Sequence, residues 1–210
     1  MKSKRDLHIL GVVSGMDFFE IDFYGYRRRL PLTNISSDKQ IATFTIIGDV
    51  EFTEKAGQEL EKILHQQNLV PDCFVGPGTN IVNFVHHMAK RAGHARYVCL
   101  RKSIRNYMTT PEVQLPWRSA PKHARKLVIN GTDAAYLKGK NVVLLDDVVS
   151  TGATMKMLSL LMEKIGARVL AQCAIFKQGD RKSDRLIYLA ILPIFVRTRT
   201  GLKKLLTEER

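Results

Sequence analysis

The chain has 210 residues, 45% of them hydrophobic, which is enough for one α/β domain with a small appendage and too little for two full domains. No apolar run approaches the about 18 residues of a membrane-spanning helix, and the charged N-terminus, beginning Met1-Lys2-Ser3-Lys4-Arg5, leads into no long apolar stretch, so a cytoplasmic protein is expected. A net charge of +13 suits an anionic partner and does not by itself separate a phosphorylated small molecule from a nucleic acid.

Residues 1–48 read as an N-terminal β appendage, with strands at 17–24, 27–32 and 41–47 and a turn at Gly25. The run Arg27-Arg28-Arg29 is either an anion contact or a solvated edge that discourages strand aggregation. A core is expected over 49–196. It opens with a helix at 51–67, where Phe52, Ala56, Leu60, Ile63 and Leu64 share one face and Asp49 is placed to cap. Pro71 stops that pattern. A short buried strand (72–75), a tight loop (76–80) and a helix (81–91) closed by Gly93 follow. The strand at 97–100 runs directly into Arg101-Lys102. Residues 103–126 carry Pro111, Pro116 and Pro121 and have weak periodicity, so they read as a long functional loop.

Further strands are expected at 142–145, 169–176 and 186–191, with a helix over 153–165 ended by Gly166. The alternation of strands and helices predicts a parallel sheet with crossover helices. All the polar loops then lie at the C-terminal ends of strands, where ligands bind in open α/β sheets. The tail 197–210 is basic and then acidic, expected as a short amphipathic helix or a frayed end. Cys73, Cys99 and Cys173 sit in apolar runs without metal-like spacing and read as buried free thiols. His86 and His87 are adjacent on a helix and do not face each other, so a shared metal is not expected.

The most informative stretch is 140–155. Val142, Val143, Leu144 and Leu145 form a strand that ends in two acids, Asp146 and Asp147, and Ser150-Thr151-Gly152-Ala153-Thr154 opens a helix. Gly152 lets the backbone come close to a ligand, the first N–H groups of the helix are unpaired, and three hydroxyls add donors, so the loop suits a phosphate. Two carboxylates would repel that phosphate unless they face something else. A vicinal diol is the fitting partner, which makes the ligand a sugar phosphate. The plain alternative is a turn whose Asp and Thr residues only cap the helix.

This stretch resembles the PRPP-binding motif of type I phosphoribosyltransferases, in which an apolar strand, Asp-Asp, three residues and Thr-Gly-x-Thr follow one another. The resemblance extends over about residues 20–195 and is strongest to adenine phosphoribosyltransferase-like proteins. It implies a Rossmann-like parallel sheet with flanking helices plus a small N-terminal β hood. It places the 5-phosphate on Ser150, Thr151, Gly152, Ala153 and Thr154, and the ribose hydroxyls on Asp146 and Asp147.

Two further segments fall at the same expected sheet edge. Gly76-Pro77-Gly78-Thr79 is a candidate anion loop whose glycines free backbone N–H groups, and the resemblance puts the pyrophosphate of PRPP there. Relatives carry a charged side chain in that loop; this chain has Pro-Gly-Thr-Asn at 77–80. Arg101-Lys102 supplies two cations that would stabilise pyrophosphate as it leaves.

The resemblance makes 103–126 a hood loop, with Tyr107 in a matching segment and Trp117 either stacking on a base or anchoring the loop. It offers Phe176 and Val148 as base contacts, a purine as acceptor (adenine first), and a homodimer. Mg²⁺ would be held mainly through PRPP, with no protein ligand assigned. The expected activity is transfer of phosphoribose from PRPP to that base, releasing pyrophosphate. The alternative is a regulator that binds PRPP and nucleic acid without turnover.

Overall fold

The computed structural model describes residues 18–122, 124–179, 186–198 and 201–205. The readings that fall on residues 1–17, on Asp180-Arg181 and on the acidic end of the tail lie outside the described residues.

Phe18–Phe23 (β1) and Tyr26–Asn34 (β2) form an antiparallel hairpin whose turn holds Gly25 at φ 91°. The side chain of Asp22 accepts from the Gly25 N–H at 2.8 Å. Phe19, Ile21 and Phe23 alternate inward and are fully buried, as a half-buried strand requires. The third strand, Lys39–Ala42 (β3), starts earlier and stops sooner than the apolar pattern of 41–47 predicts. The chain leaves the ladder after Ala42 so that Ile46 enters the core, and it then turns at Gly48, φ 84°.

Arg27 and Arg29 stand opposite Asp22 and Glu20 in the β1–β2 register and pair with them, and Arg29 also covers the Phe18 ring. Arg28 reaches the other way. It donates to both carboxylate oxygens of Asp49, at 2.6 and 3.0 Å, and Asp49 in turn accepts from the Phe52 N–H at 3.1 Å. The basic run is thus split between cross-strand pairs and a clamp on the start of Val50–Gln66 (α1).

Cys73–Pro77 (β4) follows, then Val82–Arg91 (α2) and Val98–Leu100 (β5). Helices α1 and α2 meet where Gly57 faces His87, and Arg91 pairs with Glu61 beside that contact. The proline-containing stretch is less irregular than its sequence. Glu112–Gln114 (β6) pairs antiparallel with Leu127–Ile129 (β7), and Gly131–Leu137 (α3) follows. Three-residue strands paired across such a gap leave no periodic signal in sequence.

Asn141–Val149 (β8), Ala153–Lys164 (α4), Arg168–Gln178 (β9) and Leu186–Leu192 (β10) complete the core. Strands β10, β9, β8, β4 and β5 lie in that order in one parallel sheet, as expected. The chain runs outward from β4 to β5 and then returns to the other side of β4 as β8. The order therefore reverses between β4 and β8, which is where a parallel sheet opens a crevice beyond its C-terminal edge. Strand β8 is buried on both faces. Val143 and Leu145 pack with α1, α2 and the hood, while Val142 and Leu144 pack with α4.

The tail differs from the expected helix or frayed end. Ile194–Thr198 (β11) pairs with β3, and Gly201–Leu205 (β12) pairs with β11. The antiparallel sheet β1-β2-β3-β11-β12 thus takes strands from both ends of the chain. Cys73 and Cys173 are buried free thiols, and Cys99 is only partly buried. Burial pushes the Cys73 thiol to about 11 and the Cys99 thiol to about 12. No described helix is long and apolar enough to cross a membrane.

Candidate active site

A cleft of about 270 Å³ opens at the C-terminal ends of β4 and β8. Asp146, Asp147 and Val148 line it, as does the loop from Ser150 to Thr154. Pro77 and Thr79 from the β4 loop line it, as does Lys102 from beyond β5. The motif, the cation and the second loop, far apart in sequence, thus share one cavity.

The loop from Ser150 to Thr154 opens α4. Gly152 stands at φ 74°, a conformation that residues with a β-carbon rarely adopt, and it starts α4 with no side-chain cap. The first i→i−4 bond of the helix runs from the Lys156 N–H to the Gly152 carbonyl, at 2.9 Å. The preceding helical N–H groups thus precede that ladder, with Ala153 making only a 3.4 Å contact to the Thr151 hydroxyl.

The two acids differ in environment. Asp146 is 7% exposed, and one of its oxygens accepts from the Asp147 N–H at 3.0 Å. Burial, then the neighbouring Asp147 charge, hold the Asp146 carboxyl well above the usual carboxylate range, and Lys102 acts in the opposite direction. Asp147 is less buried, and its Oδ1 accepts from the Val148 N–H at 2.8 Å. One carboxyl is thus embedded in the strand end and the other faces the cleft. Among the described residues no group of three or more His, Cys, Asp or Glu side chains is arranged to hold a metal.

The β4 loop departs from expectation. Its glycines are accounted for by packing. A β-carbon on Gly76 would lie 2.7 Å from Val85 Cγ2, and one on Gly78 would lie 2.7 Å from the Leu100 carbonyl oxygen. The Gly78 N–H is already bonded to that carbonyl at 2.5 Å, and the Thr79 N–H to the Pro77 carbonyl at 2.9 Å. Those two groups do not converge on a ligand in this conformation. The side chain of Arg101 runs along Gly78 instead, which brings a guanidinium to a loop with no charge of its own.

Phe176 is a second correction. Its ring is fully buried among Phe23, Phe44 and Phe52, with centroids 4.7 to 6.0 Å apart, and offers no face to a base. Val148 does line the cleft. Trp117 anchors the long loop, packing on the α4 side of the core with Lys156 Nζ 4.2 Å from its ring centroid. Glu112 pairs with Lys164 at 2.7 Å, and the Thr109 N–H bonds the Asn130 side chain at 2.9 Å, so the loop is tethered at three places. Tyr107 is exposed.

A phosphoribosyl transferase domain model matches residues 45–193, which covers most of the chain and the whole cleft. The chain belongs to the phosphoribosyltransferase family. Among curated relatives, the human phosphoribosyltransferase domain-containing protein 1 is 25% identical over 143 residues, covering 64% of this chain and 58% of that protein. The hypoxanthine/guanine phosphoribosyltransferase of Methanobacterium lacus is 37% identical over 86 residues, covering 41% and 42%. The chain thus spans well under two thirds of the length of these relatives. In fold it is similar to the adenine phosphoribosyltransferase of Leishmania tarentolae, with a TM-score of 0.60 at 21% identity, covering 83% of each chain. The enzyme of that name from Thermoanaerobacter pseudethanolicus gives 0.56 at 20%, covering 83% and 95%.

Three residues at or beside the cleft are not among the site residues expected from the sequence. Ala124 and Arg125 line it from the end of the long loop, within a basic run in which no spacing singles out one position. Lys177 lies at the end of β9, in register with Val149 of β8. It is 9% exposed and has no ion pair among the described residues, and its Nζ stands 5.5 Å from the Tyr188 ring centroid. It lines a neighbouring groove that shares Val149, Ser150 and Thr151 with the cleft.

Proposed function

We propose that the protein transfers phosphoribose from PRPP to a purine base, giving a nucleoside monophosphate and pyrophosphate. The observation that carries this reading is the pairing of Asp146-Asp147 with an uncapped helix N-terminus at the point where the strand order reverses. The acids accept hydrogen bonds from the ribose hydroxyls, and the backbone and hydroxyls of 150–154 hold the 5-phosphate. Arg101 and Lys102 stabilise the pyrophosphate as its bond to the anomeric carbon breaks and a ring nitrogen of the base forms the new one. The proton on that nitrogen leaves to solvent. A fixed geometry and the exclusion of water supply most of the remaining rate, since the ribosyl centre would otherwise be hydrolysed.

Mg²⁺ fits this site through the substrate: its charge would neutralise pyrophosphate oxygens, and the described residues supply no ligand cluster of their own. Asp147, which lines the cleft, is the carboxylate that would face the ion's side of the substrate.

Within the purines, Lys177 of the adjoining groove is the observation that favours an oxo-substituted base. An ammonium group donates three hydrogen bonds and accepts none, so it suits a ring oxo group and opposes the amino group of adenine. Hypoxanthine or guanine is therefore placed ahead of adenine. The archaeal relative named above acts, by its name, on hypoxanthine and guanine. The test is pyrophosphate release from PRPP and Mg²⁺ with adenine, hypoxanthine, guanine, xanthine and orotate in turn. Release with a 6-oxopurine is expected; release with none of the five would reject the enzyme. The regulator reading has less support from Arg28, which is held by Asp49, than from the exposed Arg27 and Arg29 and the +13 net charge.

A further inference from the structure

The two ends of the cleft are unequal in charge. Lys102 lines the cleft on the β4–β5 side and Arg101 lies against Gly78 of the β4 loop, while the loop from Ser150 to Thr154 contains no cation. The nearest basic residue of α4 in sequence, Lys156, is occupied by the Trp117 ring. A dianionic phosphate held only by neutral donors keeps much of its charge uncompensated.

Arg125 stands in the cleft wall with Ala124 and Leu127. Both neighbours belong to the hydrophobic cluster that includes Met157, in the second turn of α4, so this part of the wall is packed against the helix that begins at the phosphate loop. The guanidinium is partly oriented, because one of its terminal nitrogens, Nη1, donates to the Lys122 carbonyl at 2.8 Å and to the Ala124 carbonyl at 3.4 Å. It has no carboxylate partner among the described residues, and its Nε and second terminal nitrogen make no protein hydrogen bond there. Five N–H donors on a planar fork, two sides of it free, match a phosphoryl group.

We infer that Arg125 is a binding residue for the 5-phosphate of PRPP, supplying the charge that the phosphate loop lacks. This inference rests on the reading of the cleft as a PRPP site. The 5-phosphate does not change during transfer, so a contact to it is made equally in the ground state and the transition state. Such a contact acts on KM and leaves kcat alone.

The test compares wild type, Arg125→Ala and Arg125→Lys. Calorimetry with PRPP, ribose 5-phosphate and pyrophosphate is read beside the steady-state constants, and a thermal melt of each variant controls for folding. Arg125→Ala should weaken PRPP and ribose 5-phosphate about tenfold or more and spare pyrophosphate. It should also raise KM for PRPP with kcat retained, and Arg125→Lys should recover part of the loss. Unchanged ribose 5-phosphate affinity in Arg125→Ala, with wild type binding PRPP, overturns the inference alone. A loss confined to pyrophosphate overturns it by moving the residue to the other end. Wild type that binds none of the three ligands overturns the PRPP reading itself.

Discussion

Arg101 lies along Gly78, its Cδ 3.2 Å from the place a β-carbon on that glycine would occupy. The glycine is thus what lets the cation approach the β4 loop. Gly78→Ala sets a methyl group 2.7 Å from the Leu100 carbonyl oxygen, a backbone atom held by the β4–β5 pairing. The substitution should cost about 1–3 kcal/mol by overpacking, read by urea denaturation, and should displace Arg101 and weaken pyrophosphate binding. An unchanged unfolding midpoint would show that the loop has slack.

Asp146 carries a conflict between stability and binding. Its folded pKa is raised, by burial first and by Asp147 second, above the ordinary value of 3.8. The folded state therefore favours the protonated acid more than the unfolded chain does. That contribution is complete below the unfolded pKa and is lost as pH rises through the folded one. Asp146→Asn should raise the melting temperature of the ligand-free protein at neutral pH and flatten its stability curve above the usual carboxylate range. It should weaken PRPP binding by about 10–100-fold. A variant no more stable than wild type at neutral pH would contradict this account of the buried carboxyl.

Phe176 tests core against contact. Phe176→Ala should destabilise by about 3–5 kcal/mol. Phe176→Leu keeps an apolar side chain in the aromatic cluster and should leave KM for the acceptor base unchanged, as the steady-state constants would show. A raised acceptor KM in a folded Phe176→Leu protein would restore the ring as a base contact.

The Arg28–Asp49 clamp should set the acid limit of the fold. The hydrogen bond from Arg28 holds the Asp49 carboxyl below its ordinary 3.8, ahead of the opposing effect of burial. A depressed carboxylate stabilises above the unfolded pKa, and the contribution is lost as pH falls through the folded value. Both side chains are about a quarter exposed, so solvent screens the pair. Arg28→Ala should cost about 1 kcal/mol at neutral pH and less in acid, where wild type has already lost the pair. Equal costs at both pH values, measured by thermal melts, would refute it.

Legibility in the sequence followed the range of the interaction. The helices α1 and α4, the Asp49 cap and the parallel strands could be read because an amphipathic period or a cap is written within a few residues. Residues 140–155 could be read for the same reason, since strand, acids, glycine and helix start are contiguous and each has a local physical meaning. Pairings over long separations could not. The tail joins the hood through a register between Ile194 and Ile41, and β6 finds β7 across the proline-rich stretch. Composition describes Phe176 equally well as a stacking ring or a core ring; only the positions of Phe23, Phe44 and Phe52 decide. Local chemistry in the sequence determined which stretch is proposed to hold a phosphate and a diol. The tertiary structure decided which cations stand near that stretch, because Lys102 and Arg125 come to the cleft, and Arg101 to the β4 loop, through sheet order and packing that no short segment encodes.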